Sequence, residues 1–171
     1  MKVLVVGPVA SGKSTISKKL QEELEIPLYE LDHIVHNDET GTKRTEEEQR
    51  KMINDIIRKD KEWIIEGVPR SHLDVLSSNA TMILYLDFPK KLLKKRLFLR
   101  HLKIKLGITK VKYKANKELY QRMLNYIKND KREVLMECMK RYPTKLIIVK
   151  SDKEIKTLIT AIKEGEILKY Q

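Results

Sequence analysis

The chain has 171 residues, room for one domain with its own core, and carries 36 Lys and Arg against 24 Asp and Glu, a formal net charge of +12. A field of that sign attracts nucleotides, nucleic acid or other anionic partners and says nothing about fold. The single cysteine, Cys138, excludes an intrachain disulfide and a cysteine-based metal cluster, and no apolar run approaches the ~20 residues of a spanning helix, so a soluble, cytoplasmic protein without membrane contact is expected.

The first element is KVLVV (2–6), apolar through most of its length, as a strand covered on both faces is. It runs into GPVASGKST, Gly7 to Thr15, where Gly7, Gly12, Lys13 and Ser14 match the pattern Gly, four residues, Gly-Lys-Ser/Thr. Such a loop, between a buried strand and a helix, turns backbone N–H groups toward one anion and adds the positive end of the helix. Lys13 then reaches the terminal phosphates and the Ser14 hydroxyl ligates Mg²⁺. The expected ATP site is therefore Gly7, Pro8, Ala10, Ser11, Gly12, Lys13, Ser14 and Thr15.

Ile16, Leu20 and Leu24 at four-residue spacing predict a helix over 14–24, and PLYEL (27–31) is a weaker strand. Thr45 with Glu48 forms a capping box opening a helix to about Lys59. EWIIEG (62–67) and TMILYLD (81–87) are further buried strands. From Lys90 to about Arg141 the pattern is helix, loop, helix without a strand. Its break at LGITKVKYK (106–114) is either a solvated hairpin tip or a lid that brings cations over bound phosphates. TKLIIVK (144–150) is a last strand, and Ser151 with Glu154 opens a helix lined by Ile155, Leu158, Ile159 and Ile162. The alternation predicts an α/β fold with right-handed crossovers. It is a three-layer, five-stranded parallel sheet flanked by helices, one domain over 1–171, with an acceptor-binding insertion at about 33–60 and a helical lid at about 104–120.

WIIEGVPR, Trp63 to Arg70, resembles the strand-and-turn signature of adenylate kinases, which ends Asp-Gly-Phe-Pro-Arg; here Glu66 replaces the Asp and Val68 the Phe. LYLDFPKKLLKKRLFLR resembles the same family's strand ending in Asp, followed by Pro and a helix with two Arg four apart: Asp87, Pro89, Arg96 and Arg100. The resemblance implies a P-loop kinase fold, with Arg70 gripping an acceptor phosphate, Arg96 against the donor base and Arg100 on the phosphates being transferred. Positions 96 and 100 share one helical face, and a guanidinium can stack on a ring or bind phosphate oxygens. A solvated basic face is the alternative, given Lys90, Lys91, Lys94, Lys95 and Lys103. Asp87 and Glu66, at strand ends, are candidates to hold Mg²⁺ with Ser14, partly through water.

The chain also departs from adenylate kinases. LYELDHIVHNDETG stands where that family carries Thr-Gly-Asp-x-x-Arg, so the acceptor site does not resemble one for adenosine monophosphate. The lid lacks the family's arginine-rich pattern, leaving Lys110, Lys112, Lys114 and Arg122 as candidate cations. Over most of its length the chain is similar to small bacterial proteins labelled topology-modulation proteins, which share Trp-Ile-Ile-x-Gly and Leu-Asp-Phe-Pro; that label implies an effect on DNA supercoiling.

Asp32 lies nineteen residues after Lys13, a position that resembles the acidic residue shikimate kinases place beside the hydroxyl they phosphorylate. A hydroxyl acceptor must lose a proton, whereas a phosphate acceptor needs no base. As a base or hydroxyl ligand Asp32 implies a nucleoside or small-alcohol acceptor; as a Mg²⁺ ligand or helix cap it leaves a nucleotide open. His33 and His36, three apart, have too few neighbouring ligands for a metal site and suit loop or substrate contacts. Asp32, His33, Arg44, Glu66, Gly67 and Arg70 form the expected acceptor site, with Arg44 and Arg50 equally able to pair with Glu46, Glu47 and Glu48.

The expected function is Mg²⁺-dependent transfer of the ATP γ-phosphoryl to a nucleotide, a nucleoside or, alternatively, a small alcohol, with Lys13, Asp32, Arg70, Arg96 and Arg100 as the catalytic set. A nucleic-acid-associated regulator using ATP as a switch is the second reading. The Lys-rich stretch 90–114 favours it, but that stretch has only Phe98 and Tyr113 as stacking aromatics, so nucleic-acid binding is expected to be non-specific. Monomer and homodimer both remain open.

Overall fold

The computed structural model describes residues 1–68, 74–108, 116–129 and 132–166. In chain order the elements are β1 (Lys2–Val6), α1 (Lys13–Leu24), β2 (Leu28–Glu30), α2 (Leu31–Val35), α3 (Glu46–Lys59), β3 (Trp63–Gly67), α4 (Val75–Asn79), β4 (Met82–Leu86), α5 (Lys90–Lys105), α6 (Lys117–Lys128), α7 (Arg132–Met139), β5 (Leu146–Val149) and α8 (Asp152–Lys163). The five strands form one sheet in the order β2-β3-β1-β4-β5, with every pairing parallel.

The continuous apolar strands are buried on both faces. Val3 and Val5 of β1, Ile64 of β3 and Met82, Leu84 and Leu86 of β4 join a core with Ile16 and Leu20 of α1, Leu93 and Leu97 of α5, Ile127 of α6 and Leu158 of α8. The alternate residues, Leu4 and Val6, Trp63 and Ile65, Ile83 and Tyr85, join a second core with Ile34 of α2, Ile53 of α3, Leu76 of α4 and Met139 of α7. Three layers follow from that alternation, as a parallel sheet requires. Parity also aims Glu66, two residues after Ile64, at the α1 face.

Both predicted N-terminal caps form. The Thr45 hydroxyl accepts from the Glu48 N–H at 3.2 Å while the Glu48 carboxylate accepts from the Thr45 N–H at 2.7 Å. The Ser151 hydroxyl accepts from the Glu154 N–H at 3.2 Å, and the Glu154 carboxylate reaches one residue further back, to the Lys150 N–H at 2.8 Å. Gly107, at φ 70°, ends α5, with the Ile108 N–H returning to the Lys103 carbonyl at 2.9 Å.

Three local expectations need correction. PLYEL is a strand only over Leu28–Glu30, and Leu31, buried against Gly67, already belongs to α2. Among the described residues, the region 90–141 holds three helices rather than two, because α7 has its own apolar face against the second core, through Leu135, Met136 and Met139. The short helix α4 was not anticipated at all. Of the expected lid, residues 109–115, with Lys110, Lys112 and Lys114, lie outside the described residues; Arg122 is exposed on α6. No helix among the described residues is long and apolar enough to cross a membrane.

Candidate active site

The loop after the central strand β1 sits between the C-terminal ends of its neighbours β3 and β4, where open α/β sheets bind ligands. Its glycines are there for space and conformation. A Cβ on Gly7 would lie 2.9 Å from the Leu86 carbonyl oxygen, and Gly12 holds φ 95° as the residue before α1. Ala10, at φ 63°, carries a left-handed backbone on a non-glycine residue, a cost such loops sustain at functional turns. No side chain caps the N-terminus of α1, so its first N–H groups are left for an anion. Ser11 is fully buried and its Oγ has no hydrogen-bond partner among the described residues. Lys13 Nζ donates to the Pro8 carbonyl at 3.0 Å. Thr15 is exposed on the first turn of α1.

Burial pushes the Lys13 ammonium below its ordinary pKa, with Glu66 and then Asp32 opposing and Arg100 adding to the shift. Residues of α1, β3, α2 and α5 are thus close enough to act electrostatically on one ammonium. The Ser14 Oγ–H donates to Glu66 Oε1 at 2.6 Å. Burial raises the Glu66 carboxyl above the usual range, against the Ser14 hydrogen bond and Lys13, with Glu30 and Asp32 adding repulsion.

A pH dependence follows. Glu66 takes up its proton more readily folded than unfolded, so its ionisation costs stability as pH rises from the ordinary carboxyl range through the raised folded value. Glu66→Gln removes that cost. The melting temperature of the variant relative to wild type is expected to climb from acid to neutral pH and to show no such climb if Glu66 is an ordinary carboxylate.

Of the residues expected at the acceptor, Asp32 is exposed as the second residue of α2. His33 Nδ1 pairs with Asp38 Oδ2 at 2.5 Å and its Nε2 lies 3.5 Å from Glu30 Oε2. His36 forms a backbone bridge with Lys43. Arg44 is engaged with its own loop: Nη1 donates to the carbonyls of His33 at 2.6 Å, Ile34 at 3.2 Å and His36 at 2.6 Å, satisfying the C-terminus of α2. Arg50 is exposed on α3. A Cβ on Gly67 would meet the Leu31 Cβ at 2.6 Å, so the bare backbone of Gly67 lets α2 carry Asp32 close to β3. Arg70 lies outside the described residues.

Of the residues expected at the donor nucleotide, Arg96 is fastened on three sides. Nη1 donates to the Ser11 carbonyl at 2.9 Å, Nη2 donates to both Asp152 oxygens at 2.6 and 2.7 Å, and Cζ stands 4.3 Å over the Phe88 ring. Arg100, one turn on, lines a recess between α5 and α6 with Leu97, His101 and Tyr120. Asp87 is half-buried after β4, its N–H donating to the Val149 carbonyl at 2.8 Å. The sequence reading missed Asp152 and the part Phe88 plays; a carboxylate one residue after the Ser151 cap was a usable signal.

No family model matches the chain, and neither does any curated protein. Solved structures do. An uncharacterized protein from Eubacterium ventriosum is 20% identical with a TM-score of 0.58, covering 97% of this chain and 98% of that one. A gluconokinase from Sinorhizobium meliloti is 14% identical with a TM-score of 0.55, covering 99% and 97%. A shikimate kinase from Bacteroides thetaiotaomicron is 14% identical with a TM-score of 0.56, covering 95% and 96%. With its five-stranded parallel sheet between helical layers and its glycine loop after β1, the chain has the fold of the P-loop kinases.

Proposed function

We propose that this protein is an ATP- and Mg²⁺-dependent kinase that phosphorylates a hydroxyl of a small acceptor, a nucleoside or another small alcohol. The observation that carries the reading is the convergence of Lys13, Ser14, Glu66 and Asp32 beside the uncapped start of α1. The gluconokinase and shikimate kinase likenesses support it, because both names denote phosphorylation of a small hydroxyl compound.

The residues fit the cofactors. ATP brings the γ-phosphoryl and Mg²⁺ screens its oxygens. A Mg²⁺ ion that arrives with a nucleotide takes most of its ligands from phosphate and water. Ser14 and Glu66 would take the remaining positions, with Asp87 reaching in through water. The loop N–H groups from Gly7 to Thr15 hold phosphate oxygens, and Lys13 and Arg100 neutralise charge as it moves. Asp32 accepts the acceptor's proton. An anion beside Lys13 reverses the desolvation that now disfavours its charge, so the ammonium is best stabilised when phosphate is present.

The test is a screen of nucleosides, sugar acids, other small alcohols and nucleoside monophosphates with purified protein, ATP and Mg²⁺, read by formation of adenosine diphosphate. Stimulation by a hydroxyl acceptor, abolished by chelation of Mg²⁺, is expected. Stimulation by monophosphates alone would replace the hydroxyl acceptor with a nucleotide, the assignment that the adenylate kinase-like turn at Arg70 supports. No stimulation by any compound would count against a kinase.

A further inference from the structure

We infer that Asp152 is a positioning residue that locks Arg96 flat on Phe88 as one wall of a slot for a donor nucleobase. The inference deepens the proposed function and rests on it.

The geometry suits a ring. Three of the five guanidinium N–H groups of Arg96 are engaged by protein acceptors, one from Nη1 by the Ser11 carbonyl and two from Nη2 by the Asp152 oxygens, which fixes the plane of the group. One face of that plane lies on Phe88, and the opposite face is the surface a planar ligand would meet. Among the described residues no second ring lies on it. A guanidinium held this way stacks on planar, π-rich groups. Its place is also fixed relative to the phosphate loop. The Ser11 carbonyl belongs to that loop, and a Cβ on Gly12 would stand 3.7 Å from Nη1. One nucleotide can therefore lay phosphates on α1 and its base on Arg96.

Asp152 acts through Arg96 alone. It is the first residue of α8, two-thirds exposed, whereas the Arg96 side chain is only 25% exposed. The alternative purpose for an acidic residue there is to complement the α8 dipole, a modest contribution to stability. That purpose predicts a change in melting temperature and none in ligand discrimination.

The two are separated by measuring binding of ATP and of inorganic tripolyphosphate, which has the phosphates and no base, to wild type, Asp152→Asn, Arg96→Ala and the double variant. Asp152→Asn is expected to weaken ATP by about five- to tenfold, the range for loosening one stacked cation, while tripolyphosphate binding stays within about twofold of wild type. In the Arg96→Ala background the Asp152 effect should vanish, and Asp152→Glu should restore part of the ATP affinity. Equal losses for both ligands, or an Asp152 effect that persists without Arg96, would overturn the inference and leave the kinase reading intact. Wild-type protein that binds tripolyphosphate as tightly as ATP also overturns it, and wild-type protein that binds neither overturns both.

Discussion

Lys13→Ala is expected to remain folded and to lose phosphoryl transfer by about 10²- to 10³-fold, the loss seen when one preorganised charge-stabilising group is removed from a transition state. The two halves of that expectation have one cause. Lys13 is partly buried, and desolvation lowers its pKa despite the carboxylates of Glu66 and Asp32. A lysine whose folded pKa is depressed costs stability while it is charged, and the cost is relieved as pH rises toward its unfolded value of 10.5. Alanine removes that cost at neutral pH, at the loss of one hydrogen bond to the Pro8 carbonyl. The melting temperature of the variant should therefore equal or exceed that of wild type near neutrality, with the difference shrinking toward alkaline pH. Thermal unfolding and a coupled assay with the acceptor found by screening measure both. A variant that unfolds more easily and keeps full turnover would remove Lys13 from the transferring machinery. Full loss with greater stability would instead mark a residue kept at a cost to the fold, as residues at functional sites often are.

The parts legible in the sequence are those set by local rules. The centre of the sheet was readable because β1, β3 and β4 are short, largely apolar runs buried on both faces, as the inner strands of a parallel sheet are. The phosphate loop was readable because its glycines answer close contacts and positive φ at fixed spacing. Glu66 pairing with Ser14 follows from strand parity once Ile64 is known to face α1. What was not legible is tertiary. Arg96 and Asp152 are 56 residues apart, and the carboxylate after the Ser151 cap does not by itself point to Arg96 as its partner. Arg44, expected at the acceptor, has its Nη1 on three carbonyls because α2 is a five-residue helix whose open end falls beside it. Leu31 left the strand for α2 where the bare backbone of Gly67 makes room, which a propensity reading of PLYEL does not see. On α5 the lysines suggested a solvated basic face. The outer surface instead carries Phe98, Leu99 and Leu102 among them, so its exposed side is apolar as well as basic.

Asp32→Asn separates the acceptor classes most sharply. If the acceptor is a hydroxyl and Asp32 takes its proton, kcat should fall by about 10²- to 10⁴-fold, the usual contribution of a positioned general base, with the KM for ATP little changed. Asparagine keeps the length and hydrogen-bonding capacity of the side chain but cannot hold the proton, so acceptor binding should survive. If the acceptor is a phosphate, no proton need be removed and the loss should stay below about tenfold, arising through the lost electrostatic support of Lys13. A third pattern, activity recovered by raising Mg²⁺, would make Asp32 an outer ligand of the metal. The electrostatic reach of Asp32 to both Lys13 and Glu66 favours the first outcome. A base must stand where the acceptor oxygen and the γ-phosphoryl meet, and the carboxylate on the first turn of α2 that acts on Lys13 of α1 and Glu66 of β3 is the candidate this variant tests.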